Sequence, residues 1–203
     1  MKLVKLIQIY DLGVNKDFVR WARGRDIDDA WRACPGGDVL LLLAAMYGVE
    51  RKLLVLAAAD CAEATPQHKK IPTAVRTIRV TRALMRGKAT DAQVHATVEA
   101  AFSAADAAEY GSSKPWDYAT SYASDAASSV ATLATCPRDR LVDFATDGPG
   151  YAALAIAANR LGPSDVPSHA AVERASRRLA VLIRRRIPWS VAKAACAVQW
   201  SGR

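Results

Sequence analysis

The chain has 203 residues, of which 51% are hydrophobic and 24% are charged, and its formal net charge is +8. A chain of this length and composition can bury a core of its own, which excludes an intrinsically disordered protein. The longest apolar run, residues 39–46, is far shorter than the roughly 20 residues that a membrane-spanning helix needs. We therefore expect a single soluble domain over residues 1–203.

The amino-terminal stretch, residues 1–12, is too polar for the apolar region of a signal peptide, and no small-residue cleavage site follows it. We therefore expect a cytoplasmic protein. Within this stretch, residues 3–10 are the only segment compatible with a strand. Elsewhere alanine, leucine, arginine and glutamate recur at helical spacing, which predicts an all-α, compact multi-helix bundle.

The predicted helices follow from this periodicity and from the residues that punctuate it. In chain order they are residues 17–23, 26–33, 39–47, 50–63, 71–86, 91–110, 116–135, 137–145, 151–161, 166–186 and 189–198. The helices 39–47 and 50–63 are apolar around their whole circumference, which predicts a buried central hairpin. Residues 147–150 are predicted to form a loop because they include two glycines and a proline.

Helix ends are predicted from capping residues. Asp26, Asp38 and Thr90 are the expected N-caps, and Gln93 completes a capping box with Thr90. Gly24, Gly48 and Gly87 are expected to end helices, since glycine adopts a left-handed backbone at no steric cost. Residues 19–26 and 82–90 share an arginine-glycine turn before an N-cap. Stacking of helix-turn-helix units, as in helical repeat proteins, is therefore an alternative arrangement.

Motifs that carry known chemistry are missing from the sequence. It contains no P-loop, no dinucleotide-binding glycine motif, no nucleophile elbow and no zinc-protease motif. The cysteines lack the paired spacing of a metal or redox site, so we interpret Cys34, Cys61, Cys136 and Cys196 as buried structural thiols. We expect a non-enzymatic protein with no catalytic residue, no metal and no cofactor.

Isolated polar residues are interpreted in the same way. His68, His95 and His169 stand alone on different predicted elements, and each is expected to be solvated. Asp60 and Glu63 flank Cys61 at the end of a predicted helix. Carboxylates do not activate a thiol, so we expect these residues to be a solvated helix end.

A basic stripe is predicted on the helix 71–86. Arg76, Arg79, Arg82 and Arg86 lie within about a third of its circumference, where an acidic partner or a nucleic acid could bind. The alternative is a solvated face with local ion pairs. A second arginine cluster, residues 174–186, has the same two interpretations. Neither cluster has the interleaved aromatic residues on which single-stranded nucleic acids stack.

An aromatic group is predicted at the start of the helix 116–135. Trp116, Tyr118 and Tyr122 occur together with Asp117 and Asp125, and aromatic side chains of this kind are enriched at protein interfaces. The alternative places Trp116 in a hydrophobic staple and the two tyrosines at the edge of the core.

Several segments resemble a family of helical bacterial proteins. The similar segments are residues 21–24 (WARG), 30–38 (AWRACPGGD), 51–62 (RKLLVLAAADCA), 86–90 (RGKAT) and 183–189 (IRRRIPW). They resemble immunity proteins of polymorphic toxin systems, and the similarity spans nearly the whole chain. The resemblance implies a non-enzymatic protein that binds and neutralises a cognate toxin by covering its active surface.

The expected partner is therefore a protein toxin. The alternative function is binding or sequestration of an anion, such as a nucleic acid or a nucleotide, by the arginine-rich helix faces. A chain of net charge +8 does not suit the basic cleft of a nuclease, so the toxin is of another class or the contact lies away from the arginines. No membrane partner is expected, and the oligomeric state stays open.

Overall fold

The computed structural model describes residues 20–110, 117–159, 161 and 165–200, and within these ranges the fold is an all-α compact bundle, as predicted. The helices are α1 (Ile27–Ala33), α2 (Gly37–Met46), α3 (Arg51–Glu63), α4 (Pro72–Leu84), α5 (Asp91–Tyr110), α6 (Tyr118–Thr135), α7 (Leu141–Phe144), α8 (Asp147–Ala158), α9 (His169–Arg186) and α10 (Trp189–Trp200). Short 3₁₀ turns, His68–Lys70 and Arg138–Arg140, precede α4 and α7. The predicted strand 3–10 and the start of the helix 17–23 lie outside the described residues.

Most predicted helix ends are confirmed. The Asp26 carboxylate accepts hydrogen bonds from the backbone N–H groups of Asp28 and Asp29, at 3.0 and 2.9 Å. Thr90 and Gln93 form the reciprocal capping box, with N···O distances of 2.9 and 3.3 Å. The three helix-ending glycines all have positive φ angles, namely Gly24 (82°), Gly48 (79°) and Gly87 (69°). Local sequence therefore determines these boundaries.

Three predicted helix starts are wrong, one of them that of α9, which begins at His169 after the N-cap Ser168 and not at residue 166. Asp38 is not an N-cap, because α2 already begins at Gly37 and Gly36 is its cap. A side chain from a distant helix replaces the local cap: Ser176 Oγ accepts from the Gly37 N–H at 2.9 Å and donates to Asp38 Oδ1 at 2.9 Å. The predicted loop 147–150 is the first turn of α8. Proline is tolerated there because its missing N–H would have no intrahelical acceptor.

The predicted central hairpin is confirmed as part of the core. Every residue from Leu40 to Met46 in α2 is buried, and most of α3 is buried as well. A second core element, α6, packs against α3, α4, α5 and α8. Its buried face consists mostly of alanine and serine, with Val130 and Leu133, and the small side chains allow close approach of its neighbours.

The last long helix closes the bundle. The helix α9 packs against α8, which precedes it directly in the chain, and also against α2 and α3, which lie far from it in sequence. In a solenoid each repeat contacts only its neighbours along the chain, so this arrangement is that of a compact bundle. In the ranges that the structure describes, no helix has the length and apolarity required to cross a membrane.

Candidate functional site

The cysteines are structural. All four are free thiols, and Cys34, Cys61, Cys136 and Cys196 are buried, as predicted. Burial raises the pKa of the Cys34 thiol to about 12, so it stays protonated and unreactive at neutral pH. Within the described ranges, no group of three or more histidine, cysteine, aspartate or glutamate side chains is arranged to hold a metal ion.

The histidines divide into two kinds. His95 and His169 are exposed, as predicted, and His169 Nε2 lies 3.2 Å from Glu173 Oε1. The prediction that His68 is solvated is wrong, since this side chain is only 6% exposed in the 3₁₀ turn between α3 and α4. Burial lowers the pKa of His68, and its Nδ1 atom is buried with no hydrogen-bond partner among the described residues. His68 is therefore a neutral core residue.

An ion-pair cluster stands where a solvated helix end was predicted. Arg82 binds Asp60 at 2.7 Å and both oxygens of Glu63 at 3.0 and 2.9 Å. Arg186 also binds Asp60, at 2.8 and 3.1 Å. The Asp60 carboxylate thus joins α3 to α4 and α9, which sequence spacing alone could not show because the partners are up to 126 residues apart. The prediction of a solvated end is wrong.

The ion-pair cluster takes one arginine, Arg82, out of the basic stripe predicted on the helix 71–86. The Arg82 side chain is only 16% exposed and is held by two carboxylates, so its role is structural. Arg76, Arg79 and Arg86 remain exposed. Of the four arginines in the predicted stripe, these three are accessible at the surface.

Some arginines of α9 are likewise bonded to other groups of the fold, whereas others are exposed. Arg184 donates to the backbone oxygens of Trp31, Arg32 and Cys34, at 2.8, 3.2 and 2.6 Å, and so satisfies carbonyls at the end of α1. Arg177 pairs with Glu173 at 3.5 Å. The other exposed arginines, Arg174, Arg178 and Arg185, make no ion pair within the described residues and lie within about 40° of one another around the helix.

Three tyrosines form a stack across two helices. The ring centroids of Tyr118 and Tyr122 are 5.8 Å apart, and those of Tyr122 and Tyr151 are 6.5 Å apart. Tyr118 and Tyr122 are half-buried, whereas Tyr151 is 36% exposed. We call Tyr118, Tyr122 and Tyr151 the tyrosine patch. Trp116, which was predicted with the first two, lies outside the described residues.

Sequence reasoning missed Tyr151. Tyr118 and Tyr122 are four residues apart, so their proximity follows from helix geometry. Tyr151 belongs to α8 and joins them only through the packing of α8 on α6. The aromatic residue in the first part of an otherwise alanine-rich helix was the only available signal.

Two carboxylates lie near Tyr151 in the tyrosine patch. Burial and the charges of Asp125 and Asp147 together raise the pKa of Tyr151. Burial likewise raises the pKa of the half-buried Asp147 carboxyl. The Tyr151 hydroxyl consequently remains a neutral hydrogen-bond donor at physiological pH.

Clefts on the surface of the described residues include two that are lined in part by α9. One of about 200 Å³ lies where α2 begins and is lined by Asp38, His169, Glu173 and Ser176 among others. The other, of about 300 Å³, lies beside the ends of α3 and α8 and is lined by Ala64, Pro66, Ile156, Asn159, Arg178, Leu179 and Leu182. We call the larger one the α9 cleft.

Three aromatic side chains hold α1, α2 and α10 together. Trp31 and Trp189 lie 6.1 Å apart between ring centroids and both contact Tyr47. The Tyr47 hydroxyl donates to the Ile27 carbonyl at 3.1 Å. Trp31, Tyr47 and Trp189 therefore have a structural role. Comparison with protein-family models, with curated proteins and with solved structures finds no match for this chain.

Proposed function

We propose that this chain is a non-enzymatic binding protein that neutralises a cognate bacterial toxin by direct contact, with the tyrosine patch at the centre of the interface. The observation that carries the proposal is the stack of Tyr118, Tyr122 and Tyr151 at the surface. The resemblance of several sequence segments to immunity proteins supports a toxin as the partner.

The tyrosine patch has the physical properties of an interface centre. A tyrosine side chain offers a large apolar area and a hydroxyl, and it loses little conformational entropy on binding because it has few rotamers. It is also enriched among the residues that dominate binding energy. Stacking already fixes the orientation of the Tyr122 ring between its two neighbours. Little further entropy is therefore lost when a partner docks.

Electrostatics favour the same surface. The exposed arginines of α4 and α9 would repel a basic toxin cleft, whereas Asp125 and Asp147 lie close enough to Tyr151 to raise its pKa. A basic patch on the toxin would be attracted to these carboxylates. These two carboxylates can therefore attract a basic surface of the toxin even though the net charge of the chain is +8.

Co-expression tests the proposal. The chain is expressed with the toxin encoded beside its gene, and cell growth is measured together with recovery of the complex by affinity purification. Wild type should restore growth, and the Tyr122→Ala, Tyr151→Ala double variant should not. Phe102→Ala removes an aromatic side chain that is 46% exposed on α5, so it is the matched control and should protect like wild type.

Two results would count against the proposal. One is growth arrest in the presence of the wild-type chain with no complex recovered. The other is full protection by the double tyrosine variant.

The exposed arginines favour a second candidate function, the binding of nucleic acid. Arg76 and Arg79 on α4, and Arg86 in the turn that follows it, are free of the ion-pair cluster that holds Arg82. Titration with DNA and RNA across salt concentrations tests this function. Arg79→Ala with Arg86→Ala should weaken binding and reduce its salt dependence if the stripe takes part. Arg82→Ala is unsuitable for this test, since it removes an ion-pair partner from the fold.

A further inference from the structure

The α9 cleft combines an apolar wall with polar groups of one kind. Its wall contains Leu179, which is buried, and Ile156 and Leu182, which are half-buried. Its volume of about 300 Å³ is at the lower end of the range for small-ligand sites. The cleft therefore has room for a small organic molecule with a hydrocarbon part.

The polar side chains that line the cleft are hydrogen-bond donors. Arg178 makes no ion pair within the described residues, and the positions three and four residues away on α9 hold arginine, alanine, valine and leucine. The Asn159 side-chain oxygen accepts from the Gln67 amide, which leaves the Asn159 amide N–H groups as donors. An arginine and an amide donor beside an apolar wall match an anionic head group.

Among the described residues no carboxylate pairs with Arg178, and Glu173 on α9 pairs with His169 and Arg177 instead. The nearest carboxylate in sequence to the cleft residue Ala64 is Glu63, and both of its oxygens are bonded to Arg82. Arg174 and Arg185 lie on the same face of α9 and are exposed, so they add to the positive potential around the cleft.

We propose that the α9 cleft binds a small amphipathic anion, whose carboxylate pairs with Arg178 and whose hydrocarbon chain packs on Ile156, Leu179 and Leu182. The tyrosine patch contributes no residue to this cleft, so the inference does not depend on the proposed toxin binding.

Calorimetric titration of the full chain tests the assignment, with octanoate as the probe. Octanoate should bind saturably, whereas heptyltrimethylammonium, which has the same seven-carbon alkyl chain and the opposite charge, should not. Arg178→Ala should weaken octanoate binding at least about tenfold, the effect of losing a charge-assisted hydrogen bond. Arg174→Ala removes the same charge from the same helix without altering the lining, so it should change the affinity less than about twofold.

A second variant fills the cleft from an exposed position. Ala64 is exposed, lines the cleft and has ordinary helical backbone angles, so Ala64→Trp is compatible with the fold. This variant should abolish octanoate binding while its thermal unfolding stays close to that of wild type. The proposal is overturned if octanoate does not bind saturably, if both arginine variants lose affinity equally, or if Ala64→Trp binds like wild type.

Discussion

His68 links the pH of the solution to the stability of the fold. Burial lowers its pKa, with Arg82 and Lys69 acting in the same direction and Glu63 opposing them. In the unfolded chain the imidazole has its ordinary pKa of about 6.5. As pH falls through that value the unfolded state binds more protons than the folded state, so stability decreases.

We therefore expect the free energy of unfolding to fall between pH 7.5 and pH 5.5, as measured by urea denaturation. His68→Gln, which cannot titrate, should make this fall smaller. His95→Gln changes an exposed histidine and should leave the pH dependence as it is in wild type. An unchanged pH dependence in His68→Gln would contradict the assignment of His68 as a neutral core residue.

Single residues were the hardest feature to predict. An isolated histidine or arginine has the same sequence signature whether it is solvated or buried. The environment of His68 and Arg82 depends on helices that are distant in sequence. The helix α3 contacts the turn of His68, and its Asp60 binds both Arg82 and Arg186 of α9. By contrast, alanine-flanked cysteines were predicted correctly, because a small apolar thiol and its neighbours share a preference for the interior.

At the scale of elements, close packing of α2 on α9 depends on Gly37. A Cβ atom added there would lie 2.9 Å from Leu179 Cβ and 3.2 Å from the Ala180 nitrogen. Gly37→Ala should therefore destabilise the fold by about 1–3 kcal/mol, the usual cost of overpacking. Gly150→Ala is the matched control, since nothing lies within 4 Å of its Cβ position. It should be stabilising by up to about 1 kcal/mol. Thermal or urea denaturation measures both, and equal effects would contradict the packing described here.

The ion-pair cluster is the second contact between elements. Asp60→Asn should cost about 1–3 kcal/mol, because the half-buried Arg82 and the exposed Arg186 lose a shared anionic partner. Asp143→Asn breaks the exposed pair with Arg140 and should cost less than about 0.5 kcal/mol. Urea denaturation of the two variants measures the difference. A cost for Asp60→Asn as small as that for Asp143→Asn would mean that the cluster contributes nothing to stability.

Elements were predicted well where local signals suffice. Capping at Asp26 and Thr90 and glycine at positions 24, 48 and 87 set helix ends by contacts within a few residues. The start of α2 was missed because a tertiary contact decides it. Ser176 caps α2 from 139 residues away.

At the scale of the whole molecule, charge is unevenly distributed. Exposed arginines occupy α4 and α9, whereas carboxylates accompany the tyrosine patch on α6 and α8. The overall fold class could be predicted, because helical periodicity is a property of each segment. The tyrosine patch could be predicted only in part, since Tyr151 joins it through the packing of two helices.

The most direct test of the central claim is the dissociation constant of the proposed complex between this chain and a bacterial toxin, measured by calorimetry for two double variants. Tyr122→Ala with Tyr151→Ala should raise the constant about 100-fold, as the loss of two hot-spot side chains would. Arg79→Ala with Arg86→Ala should change it less than about threefold. The opposite ranking, with the arginine pair dominant, would contradict the assignment of the interface to the tyrosine patch.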